Sequence, residues 1–123
     1  MKEVFSVIIL HYNQPDYLYT AIDSVLAQSY PAIQLIFSDD GSLDFSVENI
    51  ERYIHEKKQK NIIDFKVIRH QKNVGTVKNL NEAYSQCIGK YVLQFAADDA
   101  LYDSEAVSCT HLRAHETSLH LVC

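Results

Sequence analysis

The sequence has little of what marks a disulfide-bonded, zinc-binding or membrane-spanning protein. It contains three cysteines and no tryptophan in 123 residues. Cys87, Cys109 and Cys123 form no C-x-x-C pair, which indicates reduced thiols rather than a disulfide framework or a zinc knuckle. The longest apolar run covers only residues 7–10, far short of the ~20 residues that a helix needs to cross a bilayer.

Basic residues are scarce as well. There are 11 Lys and Arg residues against 16 Asp and Glu residues, which gives a formal net charge of -5, and no run of five or more basic side chains occurs. This charge argues against nucleic acid as a partner. No signal-peptide pattern precedes the first apolar run. We therefore expect a cytoplasmic protein whose membrane contacts, where they exist, involve only segments outside this chain.

What the sequence does contain is a regular alternation of apolar runs with segments of helical period. Strands are predicted at residues 4–10, 33–37, 62–68 and 91–95, and the segments between them carry apolar residues at helical spacing. This alternation is typical of an α/β domain with a Rossmann-like, mainly parallel sheet and helices on both faces. With 47% hydrophobic residues, the chain has one domain's worth of core over residues 1–123.

Local signals refine the predicted element ends. Asn13 is the expected N-cap of the first helix because Pro15 follows in its first turn. The third helix is expected to end at Gly89, acting as a C-cap glycine. A further helix over 103–115 and a fifth strand over 119–123 are predicted, and the chain stops inside that strand, so we expect a truncated domain. The side of the third helix predicted to be buried carries Val77, Leu80, Tyr84, Cys87 and Ile88.

Polar residues of unusual type follow three of the predicted strands. In a parallel sheet the carboxyl ends of the strands share one edge, so these residues are expected to open onto one cleft. Four carboxylates in one cleft would repel each other unless a cation were present, and oxygen ligands favour Mg²⁺ or Mn²⁺ over zinc. Such a metal would let an acidic pocket hold a diphosphate. The three groups are His11-Tyr12-Asn13, Asp39-Asp40-Gly41-Ser42 and Asp98-Asp99.

Each of these groups also has an ordinary structural explanation. Residues 39–42 alone are typical of a turn and helix cap, and Asp98-Asp99 alone would be a favourable partner for a helix dipole. Tyr12 either stacks on a nucleobase or packs at a strand end. The functional interpretation therefore depends on the shared placement of the groups.

Other candidate signals are weaker. The sequence has no G-x-G-x-x-G or Walker-type loop around Gly75. His111 and His115 have the spacing of a zinc pair, although histidines exposed on a helix surface show the same spacing. Arg69, Lys72 and Lys78 either contact phosphate or are scattered surface cations.

The polar strand ends and the blocks between them resemble family 2 glycosyltransferases with the glycosyltransferase A fold. The resemblance runs from Ser6 to about Asp103, and the ordered series of blocks is more specific than any one block. The matching blocks are Ser6-Val7-Ile8-Ile9-Leu10-His11-Tyr12-Asn13, Ala27-Gln28-Ser29-Tyr30-Pro31, Asp39-Asp40-Gly41-Ser42-Leu43-Asp44, Asn73-Val74-Gly75 with Lys78-Asn79, and Gly89-Lys90-Tyr91 leading to Asp98-Asp99.

The resemblance implies a site for a nucleoside-diphosphate sugar and a divalent metal. Tyr12 would stack on the base, and Asp39 would accept from an imide N–H, which uracil or thymine offers and cytosine lacks. Asp99 would hold Mg²⁺ or Mn²⁺, and Asp98 would contact the ribose or sugar and share the metal. The implied nucleotide-binding residues are His11, Tyr12, Asn13, Asp39, Asp40, Asn73, Lys78 and Asp98.

The chain departs from the family pattern at several positions. Ala96 occupies the first aspartate position of the usual Asp-x-Asp-Asp, Leu10 and His11 replace Pro-Thr, and Lys78 replaces an arginine. The carboxylate base of an inverting transfer would lie beyond residue 123, so this fragment is expected to be inactive alone.

These features give two main functional hypotheses. The first is a donor-binding domain of an inverting, metal-dependent enzyme of polysaccharide biosynthesis that transfers a sugar from a UDP-sugar to an unknown glycan, lipid or protein acceptor. The second is a non-catalytic nucleotide-binding or regulatory domain on the same scaffold, for which Ala96 would be a sign. A receiver-type phosphoacceptor domain is a further alternative, although Arg69 and His70 stand where it would need an aspartate.

Overall fold

The protein forms a parallel sheet with helices on both faces, which confirms the predicted α/β class. The computed structural model describes residues 3–43, 45–101 and 104–108. In chain order the elements are β1 (Phe5–His11), α1 (Pro15–Leu26), β2 (Ile33–Asp39), α2 (Val47–Lys57), β3 (Ile62–Arg69), α3 (Thr76–Ser85), β4 (Tyr91–Ala96) and a 3-10 turn (Ala97–Asp99). Of the predicted helix over 103–115, residues 106–108 are helical. The predicted strand over 119–123, His111, His115, Cys109 and Cys123 lie outside the described residues.

The strands are arranged in the order β3-β2-β1-β4, and every pairing among them is parallel. β1 and β2 are central and are almost completely buried, because both of their faces are covered. Their register places the Cα of Phe5 opposite Ile33 and the Cα of His11 opposite Asp39. The chain therefore runs outward from β1 to β3 and then returns to the other side of β1 to form β4.

The two faces of the sheet are packed differently. α1 and α2 cover one face with a large apolar cluster that includes Ile22 and Ile54. α3 covers the other face, where the fully buried apolar residues are only Ile8, Ile36 and Ala83. Within the part of the chain that the structure describes, no helix combines the length and the apolar character that a membrane crossing requires.

Buried polar side chains supplement the few buried apolar residues on the face of the sheet beneath α3. Gln34 of β2 is fully buried and uses its whole amide: its Oε1 accepts from the Ser6 hydroxyl at 2.6 Å and from the Ile88 amide at 2.9 Å. Its Nε2 donates to Asp64 and to the Gln86 carbonyl. Because Gln34 itself is fully buried and all of these bonds involve it, it fixes the segment that follows α3 against the sheet.

Two local predictions about helices are wrong, and a third is right only in part. α3 ends at Ser85 with Gln86 as its C-cap, so Gly89 is not a cap. On the side of α3 that was predicted to be buried, Leu80 and Cys87 are half-buried against the sheet, whereas Val77, Tyr84 and Ile88 are exposed. The fully buried residues of α3 are Asn79 and Ala83, because the polar Asn79 occupies the position that faces β2. The N-cap of α1 is Gln14, since Asn13 turns its side chain toward the loop after β2.

Gly89 is required by close approach. A Cβ at this position would lie 2.6 Å from both the amide nitrogen and the hydroxyl oxygen of Ser6, and 2.9 Å from the Val4 carbonyl oxygen. Real Cβ atoms do not approach these atoms so closely, so the chain after α3 can reach the start of β1 only with glycine here.

Replacing Gly89 by Ala is expected to lower the free energy of unfolding by about 1–3 kcal/mol, since the new methyl group must displace backbone atoms of β1. Urea denaturation followed by circular dichroism measures the change. Ser85→Ala, on the exposed last residue of α3, is the control and should change stability by less than about 0.5 kcal/mol. Equal stability of Gly89→Ala and the unchanged protein would contradict the packing argument.

Candidate nucleotide-binding site

A cavity of about 220 Å³ lies between the carboxyl ends of β1 and β4. The order in which strands are added to the sheet changes sides at this point, because β2 and β3 lie on one side of β1 and β4 lies on the other. Open α/β sheets bind ligands at such switch points, where the loops diverge and leave a crevice. The cavity is lined by Leu10, His11, Tyr12, Gln14, Asp40, Thr76, Asn79 and Ala96.

His11 ends β1 and is 4% exposed. Its Nδ1 lies 2.8 Å from Asp39 Oδ1, and its Nε2 accepts from the Gln14 amide at 3.2 Å. The ring also packs against two stacked phenylalanines, with centroid distances of 5.4 Å to Phe37 and 5.8 Å to Phe45. Both ring nitrogens of His11 therefore have partners within the protein.

Asp39 ends β2, is fully buried and has its carboxylate surrounded by donors. Oδ1 accepts from His11 and from the Ser42 hydroxyl at 2.5 Å, and Oδ2 accepts from the amides of Gly41 and Ser42 at 3.2 and 2.9 Å. Burial by itself would raise the pKa of Asp39, but the hydrogen bonds from His11 and Ser42 outweigh it and hold the pKa below its usual value. A carboxylate offers about four acceptor positions, so internal donors occupy those of Asp39.

Asp40, the next residue, is arranged differently. It lines the cavity, and each of its carboxylate oxygens has one donor, the Val74 amide at 2.7 Å and the Gly75 amide at 3.2 Å. Two of its acceptor positions remain for a ligand. The loops after β2 and β3 are held together here, and a Cβ at Gly41, whose φ is +82°, would lie 2.4 Å from the Lys72 carbonyl carbon.

Asn13 connects the loop after β1 to the loop after β2. Its backbone amide donates to the Ser42 hydroxyl at 2.7 Å, and its side-chain oxygen accepts from the Leu43 amide at 2.9 Å. Its φ of 48° lies in the left-handed region, which asparagine tolerates better than most residues. Asn13 therefore shapes the site by fixing a loop. Tyr12 beside it is 45% exposed and borders the cavity.

Asp98 and Asp99 lie in the 3-10 turn that follows β4, and both are exposed. Ala96, just before them, lines the cavity, although the two aspartates themselves do not. Within residues 3–43, 45–101 and 104–108, no group of three or more His, Cys, Asp or Glu side chains is arranged to hold a metal ion. The protein thus offers two adjacent carboxylates at this edge of the cavity.

Asn73 and Lys78 are exposed and do not line the 220 Å³ cavity. Lys78 borders a separate depression of about 310 Å³ together with His70 and Glu82. Arg69 lies over the Phe45 ring at 6.0 Å. A larger cavity of about 590 Å³, lined in part by Gln28 and Asn61, lies toward the amino ends of the strands and contains none of the predicted site residues.

Asn79 lines the cavity, although it is not among the site residues that the sequence predicts. It is 2% exposed, accepts from the Ser38 hydroxyl at 2.6 Å and donates to the Ser38 carbonyl at 3.2 Å. It anchors the start of α3 to the end of β2 while it lines the cavity. A polar residue among the apolar residues of a helix was the signal that could have identified it.

Comparison with known proteins decides the family. The sequence profile of glycosyl transferase family 2 matches residues 6–108. The chain belongs to glycosyl transferase family 2. It is 33% identical over 94 residues to an uncharacterized glycosyltransferase of Haemophilus influenzae, covering 76% of this chain and 28% of that protein. It is 30% identical over 122 residues to the cholesterol galactosyltransferase of Borreliella burgdorferi, covering 99% of this chain and 32% of that protein.

Solved structures of the family share the fold of this family 2 domain. The crystal structure of S. aureus TarS in complex with UDP-GlcNAc superposes with a TM-score of 0.75 at 29% identity, covering 94% of this chain and 31% of that one. This likeness confirms the predicted glycosyltransferase A fold. The chain spans about a third of the length of each of these three proteins.

The family 2 domain should lose stability in acid partly through Asp39. Because its folded pKa lies below its unfolded value of about 4, its contribution is fully present above pH ~4 and is lost as the pH falls through the folded pKa. Asp39→Asn is expected to lower the free energy of unfolding by about 1–3 kcal/mol at pH 7, and this deficit should shrink below pH ~4.

Urea denaturation at pH 7, 4 and 3 measures this difference. Glu51→Gln, on the exposed side of α2, is the matched removal of a charge and should show a small effect at each pH. A deficit of Asp39→Asn that stayed constant from pH 7 to pH 3 would show that the charge of Asp39 contributes nothing to folding.

Proposed function

We propose that this domain binds the nucleotide-sugar donor, a UDP-sugar, of an inverting glycosyltransferase. The observation that carries the proposal is the cavity at the switch point of the sheet, where the half-exposed ring of Tyr12 and the partly unoccupied carboxylate of Asp40 border the same space. The family assignment and the crystal structure of TarS in complex with UDP-GlcNAc support it.

The hydrogen bonds favour Asp40 over Asp39 for reading the base. The family resemblance implied that Asp39 accepts a hydrogen bond from the imide N–H of the base, but that carboxylate already accepts from four internal donors. Asp40 is 4% exposed but lines the cavity, and it has two acceptor positions without an internal donor, so it is the carboxylate that we expect to accept from N3–H of uracil. Tyr12 offers the face on which the base would stack.

Asp98 and Asp99 fit a divalent cation shared with the donor. Mg²⁺ and similar hard cations are commonly held by one or two carboxylates, with phosphate oxygens completing the coordination. Two adjacent, exposed carboxylates match this requirement even with Ala96 in place of a third. When bound, such a cation stabilises negative charge on the departing diphosphate.

The proposed transfer is a displacement at the anomeric carbon. The acceptor hydroxyl oxygen bonds to that carbon as the bond to the diphosphate oxygen breaks, the diphosphate takes the electron pair, and a carboxylate base takes the hydroxyl proton. This base is expected beyond residue 123, as is the binding site for the acceptor. We also propose that the acceptor is a glycan, a lipid or a protein. The enzyme would act in polysaccharide biosynthesis and would be located in the cytoplasm.

The alternative function is a nucleotide-binding or regulatory domain without catalysis. The observation in its favour is Ala96, which removes one carboxylate from the end of β4. The two functions differ in whether bound metal and donor lead to sugar transfer or hydrolysis.

Asp99→Asn is expected to remove the metal dependence of UDP binding. Calorimetry with UDP should show roughly tenfold tighter binding (about 1.4 kcal/mol) when Mn²⁺ is added to the unchanged protein, and no such gain in the variant. Glu51→Gln is the control. No UDP binding by the folded, unchanged protein would refute the proposed function. Sugar transfer by the full-length protein that is lost in Asp99→Asn would exclude the regulatory alternative.

Asp40→Asn is expected to reduce the preference for UDP over CDP. Cytosine offers no N3–H, so the unchanged protein should bind UDP roughly tenfold more tightly than CDP, and the variant should bind them with nearly equal affinity. Because Asp40 also holds the Val74 and Gly75 amides, a loss that is the same for both nucleotides would show that it only anchors the loop.

A further inference from the structure

His11 carries a proton on a defined nitrogen. The Gln14 backbone amide points at Nε2 from 3.2 Å, and since an amide can only donate, Nε2 must be the unprotonated acceptor. The proton of the neutral ring is then on Nδ1, from which it is donated to Asp39 Oδ1 at 2.8 Å. The surroundings thus select one of the two tautomers of His11.

We propose that His11 is a positioning residue for donor binding that acts, in its neutral Nδ1–H form, through Asp39 and Gln14. This inference rests on the proposed function, because it assigns His11 a part in recognising the nucleotide. His11 replaces a smaller residue of the family pattern, so the arrangement belongs to this chain.

The hydrogen bonds of His11 connect the three segments that form one side of the site. Through Asp39 the ring fixes Gly41 and Ser42 in the loop after β2, and Ser42 in turn accepts from the Asn13 amide. Through Nε2 the ring also fixes Gln14, the N-cap residue of α1. No side chain forms a capping hydrogen bond at this end of the helix. Tyr12 lies between the segments that are held in this way.

His11 also lines two cavities of the protein. One is the 220 Å³ cavity, and the other is a second cavity of about 410 Å³, lined by Pro15, Leu18 and Leu43 among others. Its ring packs against Phe37 and Phe45. Removal of the ring is therefore expected to change the shape of the site as well as release the loops.

A second proton on Nε2 would destroy this arrangement. The protonated nitrogen would face the Gln14 N–H, so two donors would oppose each other at the start of α1. The charged groups around the ring are Asp39 in contact, Asp40 across the smaller cavity and Arg69 beyond the Phe45 ring. Asp39 attracts the added charge, so the contact that is lost is the one to Gln14, and with it the position of Tyr12.

Nitrogen NMR tests the tautomer without a substitution. Long-range ¹H–¹⁵N correlation spectra of the labelled protein at pH 7.5 should show a protonated Nδ1 and an unprotonated Nε2 for His11. The chain has six histidines, and the signals absent from His11→Asn identify those of His11. A protonated Nε2 at this pH would overturn the inference.

Binding of UDP in the presence of Mn²⁺ tests the function of the ring. His11→Ala should weaken UDP binding roughly tenfold at pH 7.5, and His11→Asn, whose side-chain amide can still donate to Asp39, should restore part of that loss.

His55→Ala, on the exposed surface of α2, is the control and should bind UDP as tightly as the unchanged protein. Equal UDP affinity of the unchanged protein, His11→Ala and His11→Asn would refute the role of His11 while leaving the proposed function intact. If the unchanged protein binds no UDP, the proposed function fails and this inference fails with it.

Discussion

The buried carboxylate of Asp39 is the constraint on which the site depends. An ionised carboxylate without partners would be strongly unfavourable at the end of a central, fully buried strand. Its donors come from the strand beside it and from the turn that follows it, so both must adopt one conformation before the charge is satisfied. The parallel register that places His11 opposite Asp39 makes this possible. The loops of the site are therefore fixed by the fold before any ligand binds.

The position of α3 depends on a second set of buried polar contacts. The face of the sheet beneath α3 has few fully buried apolar side chains, so packing alone gives this helix little support. Asn79 binds to Ser38 near the carboxyl end of β2, and Gln34 holds the segment after α3 near the amino end. Hydrogen bonds of this kind are directional, so they fix the helix along and across the sheet more narrowly than apolar contacts would. The floor and one wall of the cavity are thereby set.

The two ends of the candidate site differ in their degree of preorganisation. Around His11, Asp39 and Asp40, buried groups hold one another, and a nucleobase would meet a surface that is already formed. Asp98 and Asp99 are exposed in a short turn. A cation and the phosphates would therefore contribute much of the order at that end. This division suits a donor whose base is recognised by shape and hydrogen bonds and whose diphosphate is recognised by charge.

Much of the architecture could be predicted from local patterns. The apolar runs located all four described strands to within about two residues, and their continuity indicated a sheet covered on both faces. The shared edge for Tyr12, Asp40 and Asp99 follows from parallel strands alone. The end of α3 and its buried side could not be predicted, because glycine at position 89 is required by the approach of Ser6, and Asn79 is buried by its bonds to Ser38. Neither partner is near in sequence.

By itself, then, the sequence determined the fold class, the family and the types of polar residue at the strand ends, because these depend on periodicity and on order along the chain. Only the tertiary structure decided which carboxylate has acceptor positions left and which nitrogen of His11 carries the proton. Both depend on donors from residues two to 35 positions away in the chain, and the distant ones meet only when β1, β2 and α3 have packed in register. The number of free acceptor positions is a property of the assembled site, because each donor from one segment occupies an acceptor position on a residue of another segment.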